Sequence, residues 1–79
     1  MTNPTQKQIL ALYHVECFTG VHGRPPSFRE LARLLGVQVW AAQSRVLYAT
    51  KKGLMVHDAV TGLTLTDTGR ACVQPLLGG

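Results

Sequence analysis

Seventy-nine residues are enough for one small domain, 1–79, with a modest core and little room for an enzymatic cleft. Eight Lys and Arg against four Asp and Glu give a net charge of +4 and a pI near 9.6, a surplus that favours a polyanionic partner, nucleic acid first. Cys17 and Cys72 lie far apart with no CxxC pair, which argues against a disulfide framework or a zinc knuckle, and no apolar run approaches the roughly 20 residues of a membrane span.

Thr5 and Gln8 have the spacing of a capping box and predict that a first helix starts there. Ala11, Leu12, Val15 and Phe18 recur at helical spacing as an inward stripe. Thr19, Gly20, Gly23, Pro25 and Pro26 then predict an end near Phe18 or Thr19. Ile9, Leu10, Tyr13 and Cys17 fall partly off that stripe. This second side is either covered, by a C-terminal helix or a second subunit, or left as an apolar patch.

Ser27 and Glu30 form a second capping box directly after two prolines and open a helix over 28–35. Its inward residues are Leu31, Ala32 and Leu35, with Gly36 as a left-handed close. A third helix is predicted from Val39 to Lys52, stopped by Gly53, with Ala42, Val46 and Ala49 as its core side. From Leu54 the pattern changes to short apolar runs, Leu54 and Val56 facing Leu63 and Leu65 across a turn with Thr61 and Gly62. Thr66 can cap a last helix over about 67–77, interrupted near Pro75, with Gly78 and Gly79 as a frayed tail. The expected fold is mostly α with a small β-hairpin, a winged helix-turn-helix with a three-helix core. In it the helix-turn-helix covers about 27–52, a two-stranded wing about 54–65, and an extra C-terminal helix follows.

The stretch Gly23, Arg24, Pro25, Pro26, Ser27, Phe28, Arg29, Glu30, Leu31, Ala32, continued by Arg33, Leu34, Leu35, Gly36 and Val37, resembles the DNA-binding domain of LexA-type repressors. The similarity covers roughly Thr5 to Leu65, and Lys52, Gly53 and Leu54 match the usual exit into the wing. Leu63 to Arg70 looks equally like the wing-to-helix join of MarR-type regulators. Both resemblances imply a winged-helix transcription factor. Two features depart from the LexA pattern: the segment after Gly36 is one residue shorter than usual, and Trp40 stands where a polar residue is usual. LexA repressors also carry a second domain whose serine and lysine cleave the chain, and self-cleavage is not expected as the switch here.

A recognition helix enters the major groove with its N-terminal half. By spacing, Gln38, Trp40, Ala41, Gln43, Ser44 and Arg45 can project outward. Gln43 can make two hydrogen bonds to adenine, and Arg45 can meet guanine or a phosphate. Ser27, Arg29 and Arg33 on the preceding helix suit phosphate clamping, with Arg24, Lys51 and Lys52 as further phosphate candidates. The wing holds only His57 and Asp58 as ionisable groups, so no basic wing is expected. The alternative reading of each of these side chains is a solvated surface group, with Ser27 keeping its capping role either way.

His14, His22 and His57 form no metal-ligand set, and no nucleophile elbow, glycine-rich phosphate loop or paired-carboxylate motif is present. No catalysis, cofactor or metal is expected. The leading expectation is a sequence-specific, double-stranded-DNA-binding regulator of transcription. It would be a repressor and a homodimer, cytoplasmic and nucleoid-associated in a prokaryote or a phage-infected cell. The alternatives are a protein-binding adaptor or inhibitor using an apolar strip of Trp40, Leu47 and Tyr48, and a non-specific architectural DNA binder.

Overall fold

The computed structural model describes residues 6–77. The chain runs α1 (Gln6–His22), α2 (Phe28–Leu35), α3 (Val39–Lys51), β1 (Met55–Asp58), β2 (Gly62–Leu65) and α4 (Asp67–Leu77). Three helices, a two-stranded antiparallel hairpin and a closing helix make a winged-helix-like fold. Thr5 of the first capping box and the Gly78–Gly79 tail lie outside the described residues.

α1 buries Ala11, Leu12 and Val15, with Phe18 half-buried, which is the stripe the spacing predicts. It does not end at Phe18 or Thr19 but continues to His22. The Thr19 hydroxyl donates to the Val15 carbonyl at 2.8 Å, so it is satisfied inside the helix. The Phe18 and His22 rings lie 4.1 Å apart across the added turn. The stop is Gly23, at φ 71°, whose N–H returns to the Thr19 carbonyl at 2.9 Å.

The capping box of α2 is complete: Glu30 N–H donates to the Ser27 hydroxyl at 3.2 Å and Ser27 N–H donates to the Glu30 carboxylate at 2.9 Å. α2 then closes with the paired bonds of a Schellman motif, Val37 N–H to the Ala32 carbonyl and Gly36 N–H to the Arg33 carbonyl. α3 closes the same way, Leu54 N–H to Ala49 and Gly53 N–H to Thr50, which leaves Lys52 just beyond the helix.

That closure sets the phase of the wing. Leu54 is held by the end of α3, so β1 starts at Met55, paired with Leu65, and His57 pairs with Leu63. Met55 is therefore the inward residue, 1% exposed, and Val56 stands outside at 47%, opposite Thr64. The expected pairing of Leu54 and Val56 with the second strand is corrected by one residue, and in a strand one residue changes the face. At the tip, the Asp58 carboxylate accepts from Val60 and Thr61 N–H at 2.7 and 3.3 Å and pins the turn.

Thr66 caps α4, accepting from Gly69 N–H at 3.1 Å while its hydroxyl donates to the Gly53 carbonyl at 2.6 Å. Pro75 does not interrupt this helix, which continues to Leu77. The proline sits in its last turn, and Ala71, whose carbonyl loses an N–H partner there, is exposed to water. α4 covers the second side of α1: Val73 is fully buried, Cys72 and Tyr13 pack on the same core, and Arg70 meets Glu16 at 3.6 Å. Both cysteines are free thiols, and none of the described helices is long and apolar enough to cross a membrane.

Candidate nucleic-acid interface

A helix that buries Ala42, Val46 and Ala49, at 0, 3 and 1% exposure, must turn its opposite face outward. On α3 that face carries Trp40, Leu47 and Tyr48 at 71, 57 and 47% exposure, with Ser44 and Lys51 between them. Among the described residues, nothing covers this apolar strip. Gln38 and Gln43 are exposed near the start of the helix, while Ala41 and Arg45 are half-buried on the flank nearest α1.

On α2, Arg29 and Arg33 stand one turn apart on the exposed side, away from buried Leu31 and Ala32. Ser27 is exposed, its hydroxyl engaged in the capping box. Two of the expected phosphate contacts are engaged within the chain instead, Arg24 at the surface and Lys52 enclosed. Arg24 forms a two-pronged ion pair with Glu30, both bonds at 3.0 Å, and lies 5.1 Å from the centre of the Phe18 ring. The Arg24 guanidinium and the Ser27 amide hold the Glu30 carboxyl down at about 2, so the pair is ionised at any pH near neutrality. Lys52 folds back so that its ammonium sits 4.7 Å from the Tyr48 ring centre, enclosed and without a hydrogen-bond partner.

These pairings decide where the positive charge lies. Of the four acidic residues, Glu30 is taken by Arg24, Glu16 and Asp67 both meet Arg70, and Asp58 is folded into the wing turn. Among the described residues, Lys7, Arg29, Arg33, Arg45, Lys51 and the enclosed Lys52 have no acidic partner. The unbalanced charge is therefore on α2, α3 and the start of α1. The wing contributes none of it and ends in Val60, 91% exposed.

Two depressions flank α3. One, of about 370 Å³, opens toward α2 and the wing and is lined by Phe28, Gln43, Val46, Leu47, Thr50 and His57, with the Phe28 and His57 rings edge to face at 5.3 Å. The other, of about 310 Å³, opens toward the start of α1 and joins Lys7 and Gln8 to Trp40, Ala41, Ser44, Arg45 and Tyr48. Sequence reasoning missed Lys7, Gln8 and Phe28 as neighbours of α3, since no local spacing links them to it. No group of three or more potential metal-binding side chains exists among the described residues. No protein-family model matches this chain, and no curated protein matches it.

Proposed function

We propose that this chain is a sequence-specific, double-stranded-DNA-binding transcriptional regulator, a repressor that works as a homodimer. The observation that carries the reading is the gathering of unpaired cations on α2 and α3 of a winged-helix-like fold, while the acidic groups are neutralised elsewhere. α3 enters the major groove, where Gln43 reads adenine, Arg45 meets guanine or phosphate, and Gln38, Ala41 and Ser44 approach base edges. Ser27, Arg29 and Arg33 grip phosphates from α2, with Lys51 at the far end of α3. One short helix reads few base pairs, and a two-fold pair doubles the site. The outer side of α4, where Leu76 is 52% exposed, is the surface for that pairing. The protein is placed in the cytoplasm with the nucleoid, and no step calls for catalysis.

Selection from a randomised duplex pool, followed by anisotropy at two salt concentrations, tests the reading. Enrichment of a palindromic site, shifted in the Gln43→Ala variant, is expected. An absence of binding at low salt rejects it, and equal affinity for unrelated duplexes turns it into architectural binding.

The exposure of Trp40, Leu47 and Tyr48 favours one second reading, a protein-binding adaptor or inhibitor. Leu47→Ala separates the two: an adaptor loses its partner, and a DNA binder keeps its salt-dependent affinity.

A further inference from the structure

The cleft between α1 and α3 shares Ala41, Ser44 and Arg45 with the proposed groove-reading face and adds Lys7, Gln8, Trp40 and Tyr48, which that role does not use. It is lined by small Ala41 and Ser44 and by the aromatic Trp40 and Tyr48, whose backbone positions are about 12 Å apart along the helix axis. Lys7 and Arg45 bring two cations without acidic partners, and the Gln8 side chain lines the cleft at only 8% exposure. Behind Tyr48, the Lys52 ammonium adds a third positive charge. The volume, about 310 Å³, is at the lower end of the roughly 300–1,000 Å³ of small-molecule sites.

Each element narrows the ligand. Exposed aromatic rings favour a flat π-system, two cations without acidic partners among the described residues favour negative charge, and the exposed Ser44 hydroxyl offers a hydrogen bond at a planar edge. An aliphatic anion would leave the rings idle, and a neutral aromatic would leave the cations idle. We propose that this cleft binds a nucleotide, its base against the ring of Trp40 or Tyr48 and its phosphate between Lys7 and Arg45. The nucleotide is either free or an unpaired residue of a DNA strand, and the site does not depend on the duplex-reading role of α3.

Trp40 is the only tryptophan, so its fluorescence reports on the cleft directly. The whole chain is titrated with adenosine monophosphate, a single-stranded tetranucleotide and ribose 5-phosphate, and labelled blunt duplex is followed by anisotropy alongside. Saturable quenching by the nucleotide or the tetranucleotide, with ribose 5-phosphate inert, is expected. Lys7→Gln, Arg45→Gln and Tyr48→Ala should each weaken it about ten-fold, and circular dichroism checks that these surface variants are folded. A response to the mononucleotide assigns a free ligand, and a response to the tetranucleotide alone assigns a strand. Absence of saturable quenching by both, an equal response to ribose 5-phosphate, or quenching undiminished in all three variants overturns the proposal. Duplex binding without nucleotide uptake rejects the cleft alone, and uptake without duplex binding rejects the groove-reading role alone.

Discussion

At Gly62 two constraints coincide. Its φ is 78°, and a Cβ there would stand 2.5 Å from Pro25 Cγ, so the tip end of the wing and the loop before α2 meet at a point with no space for a side chain. Gly20 is the opposite case: it lies within α1 with nothing in reach of an added methyl. Gly62→Ala is expected to cost about 1–3 kcal/mol, and Gly20→Ala to gain about 0.5–1 kcal/mol by stiffening the unfolded chain and favouring helix. Thermal melts followed by circular dichroism check both, since about 1 kcal/mol moves the midpoint of a domain this small by several degrees. Equal losses in the two variants would contradict the assignment. In the sequence both glycines read as turn or breaker residues. Which of them is indispensable depends on Pro25, a neighbour only in space.

The wing shows how an element inherits its phase from the one before it. The Schellman closure of α3 uses Leu54 N–H, and this moves the start of β1 to Met55 and puts Val56 in solvent. Met55→Ala is expected to destabilise the fold by about 2–5 kcal/mol through the cavity it leaves, while Val56→Ala stays within about 0.5 kcal/mol. Denaturant titration of the two variants checks the register, and a reversed order of costs would show that the strand is slipped by one. Helix starts were legible because a cap acts within three residues, as Ser27 with Glu30 shows. The end of α1 and the passage of α4 through Pro75 were less so. Thr19 is a weak local breaker and Pro75 a strong one placed in a last turn, and ring packing in one case and an exposed carbonyl in the other let the helices continue.

Over the whole molecule, charge is sorted by pairing rather than by position in the chain. Arg70 is as basic as Arg29, yet it faces Glu16 and Asp67, whereas Arg29 and Arg33 face only water. If α2 grips phosphates, replacing Arg29 and Arg33 together by Ala should lower the slope of log affinity against log salt by about two. Arg70→Ala should leave the slope unchanged. Anisotropy with one fixed duplex over a salt series measures both, and an equal effect of Arg70→Ala would point to diffuse attraction with no oriented face.

By itself the sequence determined the order and type of the elements, the caps that open α2 and α4, the Ala42, Val46 and Ala49 side of α3 and the outward position of Arg29 and Arg33. Capping, helical period and turn chemistry all act within one or two turns of chain. Only the tertiary structure decided that α4 covers α1, that Trp40 stays uncovered, that Arg24 pairs with Glu30 while Lys52 turns onto Tyr48, and that Lys7 joins Arg45 beside α3. Those outcomes are contacts through space, set by how the helices pack, and no spacing along the chain encodes them.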